Sequence, residues 1–271
     1  MKVWFITGSS RGFGRAFAEA ALERGDRVAA TARDVSTIKN LCDAYGDRVL
    51  PLTLDVTDPA EVSTAVAAAH QAFGRLDVVV NNAGYGLFGA VEETTEAQLR
   101  AQMETNFFGA VWVTQAVLPY LRAQGGGHIV QMSSVAGVGA FPGFGAYHAS
   151  KWALEGLTES LAGEVAGFGI AVTLVEPGPY DTDWGGSSAV HTTPIPEYRP
   201  VCEAAMAQLA GLPSGKPATA AQALLSIVDA EHPPLRVLFG SLPPLMVKDI
   251  YAQRLQSWQA WETVSRQADG A

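Results

Sequence analysis

Short apolar, β-branched runs alternate with longer helix-period stretches through the first two thirds of the chain. This alternation limits the fold more than any other feature. KVWFI leads into a helical pattern over residues 13–24, and RVAAT precedes a short helix near 35–45. RVLPLTLDV precedes a helix over 59–73, where Pro59 suits a first turn capped by Asp58. LDVVVNN precedes a long helix near 95–122, and GHIVQMSS and GIAVTLVEP flank a helix that opens at Tyr147. LRVLF, near residue 235, is the last strand candidate. Successive βαβ units of this kind predict an α/β fold, a doubly wound parallel sheet with helices on both faces. Strands covered on both faces need no polar alternation, and these runs show little.

With 271 residues, 48% of them hydrophobic, the chain suits one domain spanning residues 1–271. Its least regular stretch, GPYDTDWGGSSAVHTTPIPEYRP at 178–200, is long for a simple connection and reads as a lid, with a lid region over 178–215. No run of about 18 uncharged apolar residues predicts a membrane span. MKVWFITGSS has no long apolar stretch or small-residue cleavage site, so a cytoplasmic setting is expected. Cys42 and Cys202 are the only cysteines and suggest no disulfide framework. A net charge of −9 argues against nucleic acid and anionic membranes as main partners. Leu255, Trp258 and Trp261 recur at helical spacing near the C-terminus and read as a packing stripe.

The first strand ends in TGSSRGFG. Gly8, Gly12 and Gly14 allow a tight turn and a close backbone approach, and the helix that follows offers free N–H groups to a pyrophosphate. The position between strand and helix is where a Rossmann-type dinucleotide site needs such a loop. The second strand ends at Ala32, followed by Arg33, where an acid would hold the ribose hydroxyl of NAD. Arg33 and Arg11 together favour the 2′-phosphate of NADP(H) over NAD(H), although Asp34 could take the ribose role.

Tyr147 and Lys151 stand four apart at the opening of GFGAYHASKWALEGL and share one helical face. Ala149, Trp152, Ala153, Leu154 and Leu157 are the candidates for the buried side of that helix. A nearby ammonium favours a phenolate and lowers a tyrosine pKa from its usual value of about 10.

TGSSRGFG, NNAG at Asn81 to Gly84, Asn106 in NFFG, the Ser133-Ser134 pair and YHASK together resemble the short-chain dehydrogenase/reductase family, single-domain branch, over nearly the whole chain. LDV, and Pro177-Gly178 with Thr182, fit the same pattern. NNAGYGLFGAVEE and LVEPGPYDTDW are similar to hydroxysteroid- and retinol-dehydrogenase-like members. The resemblance implies catalytic roles for Asn106, Ser134, Tyr147 and Lys151. Tyr147 would be general acid or base, Ser134 would bind the substrate oxygen, Lys151 would hold the nicotinamide ribose, and Asn106 would hold a relay water. It implies cofactor contacts from Gly8, Ser10, Arg11, Gly12, Phe13, Gly14, Arg33, Asp55, Val56, Asn81, Ala83, Gly84, Tyr147, Lys151, Pro177, Gly178 and Thr182. Subunit pairing through the two long helices, as a homodimer or homotetramer, is also implied.

Ligands bind at the carboxyl ends of such strands. The segments that reach there offer Tyr85, Leu87, Phe88, Val135, Val138, Phe141, Phe144, Tyr180 and Trp184. They carry no Lys or Arg before Arg199, so a hydrophobic ketone, aldehyde or secondary alcohol is the expected substrate. His148 is expected on another helical face than Tyr147, and His191 in the lid. His70, His128 and His232 show no metal spacing with the cysteines. Glu92 and Glu93 read as solvated first-turn charge, and Asp181 and Asp183 as surface or lid groups. The expected activity is NADP-dependent carbonyl reduction or its reverse. The competing reading is a non-catalytic NADP-binding redox sensor, which would often have lost Tyr147 or Lys151.

Overall fold

The structure, a computed structural model, describes residues 1–270. Strand β1 (Val3–Ile6) is followed by α1 (Gly12–Glu23), β2 (Arg27–Ala32), α2 (Lys39–Tyr45), β3 (Val49–Thr53), α3 (Pro59–Phe73) and β4 (Val78–Asn81). Then come β5 (Leu87–Phe88), α4 (Glu96–Met103), α5 (Gly109–Gln124), β6 (Gly127–Met132), α6 (Gly145–Val165) and β7 (Ile170–Pro177). The chain continues through β8 (Val190–His191), α7 (Arg199–Ala210), α8 (Pro217–Val228), β9 (Arg236–Phe239), α9 (Pro243–Ala260) and α10 (Glu262–Ala268).

Seven strands form one parallel sheet in the order β3-β2-β1-β4-β6-β7-β9. The order reverses between β1 and β4, so their carboxyl ends open a crevice there. Strand side chains alternate between two cores. Trp4 and Ile6 of β1 pack with α1, α2 and α8, whereas Val3 and Phe5 pack with α3, α5 and α6. Each fully buried Leu, Ile or Phe side chain contributes roughly 1.5–3 kcal/mol, which explains the near-continuous apolar runs. The two edge strands depart from full burial: exposed and covered residues alternate along β3, and β9 is only half-buried before Phe239.

Local chemistry accounts for the helix starts. Asp58 accepts hydrogen bonds from the N–H groups of Ala60 (2.8 Å) and Glu61 (3.2 Å), ahead of Pro59 in the first turn of α3. Thr95 and Gln98 form a reciprocal capping box at α4. The expected long helix near 95–122 runs through α4 and α5, joined by a π-turn over Glu104–Phe108 that carries Asn106. Such turns re-aim side chains within a continuous helix.

Two expectations change. First, the buried face of α6 holds Tyr147, His148, Lys151, Leu154, Glu155 and Thr158, while Ala149 and Trp152 are exposed. The helix meets β6 and β7 through its chemical face, so part of the apolar set points outward. Second, the stripe of Leu255, Trp258 and Trp261 is exposed, at 58%, 61% and 65%. Along α9 only Pro243 is buried, so this stretch of the helix has no core to pack against. Arg254 there donates to the Val138 carbonyl (3.0 Å) and stacks on Trp152 and Tyr251. Residues 178–200, expected as a lid, are held by contacts. Val190 and His191 pair with Leu87 and Phe88, and helix α7 begins at Arg199.

The glycine loop is held by close contact. Gly8 and Gly12 have φ of +69° and +58°, in the left-handed region that favours glycine. A Cβ on Gly14 would overlap the Gly8 carbonyl and Asn82 Nδ2. Gly14→Ala should therefore cost about 1–3 kcal/mol of stability, as overpacking does, seen as a lowered denaturation midpoint. It should also weaken binding at the loop.

Candidate active site

At the reversal point Thr7 Oγ1 accepts from the N–H groups of Asn82 (2.9 Å) and Ala83 (3.0 Å). Asn82 Nδ2 donates to the carbonyls of Thr7 (2.9 Å) and Gly8 (3.1 Å). These bonds tie the ends of β1 and β4 together and shape the glycine loop. Asn81 turns away from the crevice, and its amide donates to Thr114 Oγ1 (3.1 Å) and the Ala110 carbonyl (3.4 Å). Asn82 faces the crevice instead. Successive strand residues point to opposite sides, and the NN doublet alone does not say which one.

A cavity of about 770 Å³ opens beyond the glycine loop. Ser134, Tyr147 and Lys151 line one end of it, together with Phe13, Gly84, Pro177, Gly178 and Thr182. Seven of the nine residues offered for the pocket, Tyr85, Phe88, Val135, Phe141, Phe144, Tyr180 and Trp184, also line it. Leu87 and Val138 are buried outside its lining. Helix α7 adds Met206 and Leu209, and α9 adds Met246. Those three are apolar residues on distant elements, and no local pattern in the sequence aims them at this cavity.

Tyr147 is buried, and its hydroxyl is within hydrogen-bonding reach of Ser134. Ser134 Oγ also accepts from Ala136 N–H (3.1 Å) and so caps the turn that follows β6. Lys151 Nζ donates to the Met132 carbonyl (2.7 Å) and lies 5.7 Å from the Tyr147 ring centroid. Burial pushes the Tyr147 pKa up to about 12, with only a small opposing effect from Ser134. Burial pushes Lys151 down to about 8, opposed by the Glu155 charge. The expected lowering of the tyrosine pKa by the lysine is therefore not present in the chain alone. Desolvation dominates at Tyr147, and the Lys151 ammonium directs one of its three protons to the Met132 carbonyl.

Asn106 is buried beneath the cavity wall. Its Oδ1 accepts from Tyr85 N–H (3.0 Å), and its Nδ2 donates to the Tyr85 carbonyl (2.9 Å) and to Ser150 Oγ (3.2 Å). It thus fixes the backbone at Tyr85. His148, expected on another helical face than Tyr147, also lines the cavity, where it serves the wall. Its Nε2 accepts from Phe141 N–H (2.9 Å), which leaves Nδ1 as the donor to the Ala136 carbonyl (2.9 Å). Burial lowers its pKa and favours the neutral ring.

The remaining cofactor candidates lie around the crevice. Arg33 is exposed and has no hydrogen bond or ion pair among the described residues. Asp34 is engaged locally, accepting from Ser36 N–H (2.9 Å). Arg11 donates to Ser187 Oγ (2.9 Å) and pairs with Asp183 (3.4 Å). Ser10 lies in the loop itself. Asp55 Oδ1 accepts from Thr57 N–H (2.9 Å) and Thr57 Oγ1 (2.8 Å), and Val56 packs under Gly109.

The segment from 180 to 198 covers the cavity. Trp184 lies 5.0 Å from the rings of both Tyr147 and Phe88, and its Nε1 is buried without a partner. Glu93, expected as solvated charge, is the clasp for this segment. It accepts from Ala90 N–H, Thr192 Oγ1 and Ile195 N–H, each at 2.8 Å. These donors hold its pKa below the usual carboxylate value. Glu92 accepts from the Tyr198 hydroxyl. The exposed His191 stacks on Phe88.

The sequence model of the short chain dehydrogenase family matches residues 2–191, and the chain belongs to this family of oxidoreductases. Oxidoreductase BOA17 of Botryotinia fuckeliana is 46% identical over 243 residues, 88% of this chain and 89% of that protein. A short-chain dehydrogenase from Streptomyces avermitilis has 42% identity and a TM-score of 0.93, over 99% of this chain and 100% of that one. A short-chain dehydrogenase/reductase from Burkholderia phymatum, solved in complex with NAD, has 26% identity and a TM-score of 0.81, covering 93% and 95% of the two chains.

Glu93→Ala should free the 190–198 segment while leaving the sheet intact. Limited proteolysis should then cut between residues 183 and 200 faster than in the wild type, with the far-UV spectrum unchanged.

Proposed function

We propose that the protein is a nicotinamide-dependent oxidoreductase that reduces a hydrophobic ketone or aldehyde to an alcohol, or runs the reverse reaction, with a preference for NADP(H). The observation that carries this reading is the convergence of the Ser134 and Tyr147 hydroxyls, with Lys151 beside them, at the end of the apolar cavity nearest the glycine loop.

The fit to a dinucleotide rests on the loop. Gly8, Gly12 and Gly14 leave a cradle without side chains, next to the free N–H groups at the start of α1. Lys151 would hold the ribose and Thr182 would meet the carboxamide. The nicotinamide, when bound, supplies or accepts the hydride. This chain's own task is to manage one proton and one developing charge. In reduction, Ser134 and Tyr147 aim donors at the carbonyl oxygen, where negative charge grows. Tyr147 then gives up its proton. Its raised pKa suits an acid that keeps its proton until an alkoxide forms. In oxidation, the ammonium and an oxidised ring together would stabilise the phenolate.

Ala32 and Asp34 support NADP. The strand-end residue has no polar group, and the nearby acid is already held by Ser36. Arg33 remains available for a 2′-phosphate, and Arg11 would have to leave Asp183 to join it. A cytoplasmic location and pairing of subunits through α4, α5 and α6 complete the reading, supported by the exposed Ala149 and Trp152 on α6.

Tyr147→Phe should lower carbonyl reduction by about 10²–10⁴-fold, the usual worth of a general acid, with NADPH binding nearly unchanged. Wild-type rates in this variant would overturn the mechanism. In a separate experiment, Arg33→Asp should shift the ratio of kcat/KM values toward NADH. A wild type that already prefers NADH would remove the NADP assignment.

A further inference from the structure

Glu155 stands one turn beyond Lys151 on the buried face of α6. Its carboxyl is within hydrogen-bonding reach of Ser133 Oγ and of Glu176 from β7. Both glutamates are buried, at 7% and 3% exposure. Arg236 of β9 closes the cluster from the sheet edge. Its Nε lies 3.2 Å from Glu155 Oε2 and 3.5 Å from Glu176 Oε1, and its Nη2 donates to Glu159 on α6 (2.9 Å). Ser133 Oγ, Glu155 Oε1 and Glu176 Oε1 are buried and have no hydrogen-bond partner of regular geometry.

Two neighbouring carboxylates so poor in donors cannot both stay ionised at low cost. Two cations, Lys151 and Arg236, face the three carboxylates of Glu155, Glu159 and Glu176. One proton on the Glu155–Glu176 pair balances the charge. Burial, followed by the charge of Glu155, pushes Glu176 up to about 7. Burial also raises Glu155, against the charges of Arg236 and Lys151. The cluster reaches the catalytic end through the backbone as well, because the Lys151 acceptor, Met132, directly precedes Ser133.

We propose that Glu155 and Glu176 form a buried carboxyl pair sharing one proton, whose single negative charge stabilises the Lys151 ammonium beside Tyr147. Glu155 and Glu176 are thus positioning residues. They touch neither substrate nor cofactor and act through Lys151. The inference rests on the carbonyl chemistry proposed above only for its effect on turnover. The shared proton and the lysine charge are properties of the chain alone.

The test uses the full-length protein and two readouts that need no substrate. Infrared difference spectra of wild type against Glu176→Gln should show a protonated carboxyl band at neutral pH that the variant lacks. No such band overturns the proposal, whatever the activity. The chain has five lysines, so Lys151 can be followed by NMR of a ¹³C-lysine-labelled sample and assigned with Lys151→Arg. Glu155→Gln confines the negative charge to Glu176, away from the α6 face that carries Lys151, and should lower the Lys151 titration midpoint by about one pH unit; Glu155→Asp should restore most of it. An unshifted midpoint in Glu155→Gln also overturns the proposal. If the protein reduces carbonyls, the alkaline limb of its rate profile should move to lower pH in Glu155→Gln and return in Glu155→Asp. Absence of turnover in the wild type would count against the proposed function alone, with the infrared and NMR results still deciding the pair.

Discussion

The structure depends on four hydrogen bonds between side chains and backbone at the point where the sheet order reverses. Thr7 receives the first two N–H groups beyond β4, and Asn82 receives no side-chain competition from Gly14 as it donates back to Thr7 and Gly8. The same few atoms hold two central strands in register at their ends and leave an open cradle at the start of α1. Fold and binding loop therefore share one constraint. A side chain at Gly14 would disturb both, because its Cβ would stand where the amide of Asn82 must lie.

The reacting end follows from burial. Helix α6 presents Tyr147, Lys151 and Glu155 to the sheet in place of an apolar stripe, so three ionisable groups enter a poorly solvated region together. Desolvation moves each toward its neutral form, raising Tyr147 and Glu155 and lowering Lys151. Each then responds strongly to a charge placed nearby. That sensitivity suits a site that must change the state of one proton when a charged ring arrives. It also explains why Arg236, Glu176 and Glu159 gather on the far side of the lysine.

The cover over the cavity is built differently. It has no deep core of its own. Glu93, the β5–β8 pairing, the Arg11–Asp183 ion pair and the aromatic cluster around Trp184 hold it. Contacts of this polar, peripheral kind open at lower free-energy cost than the sheet they cover. A segment so fastened can admit a substrate without disturbing the strands below.

The sequence by itself determined the layered parallel sheet, the glycine turn and the Tyr147–Lys151 face. Each depends on local periodicity or on spacing within a single element. It also supplied seven residues of the aromatic and apolar wall, because they lie in segments that leave strand carboxyl ends, but not Met206, Leu209 and Met246 from α7 and α9. Tertiary structure alone decided which asparagine of the NN doublet faces the crevice and that Glu93 clasps the cover. It also decided that Trp258 and Trp261 lie beyond the core. Those outcomes depend on what the rest of the chain brings to each side chain, across separations as large as the 102 residues between Glu93 and Ile195. The balance between burial and charge at Tyr147 was hidden for the same reason. Spacing reveals that an ammonium is near, but only the packed interior sets how much water both groups lose.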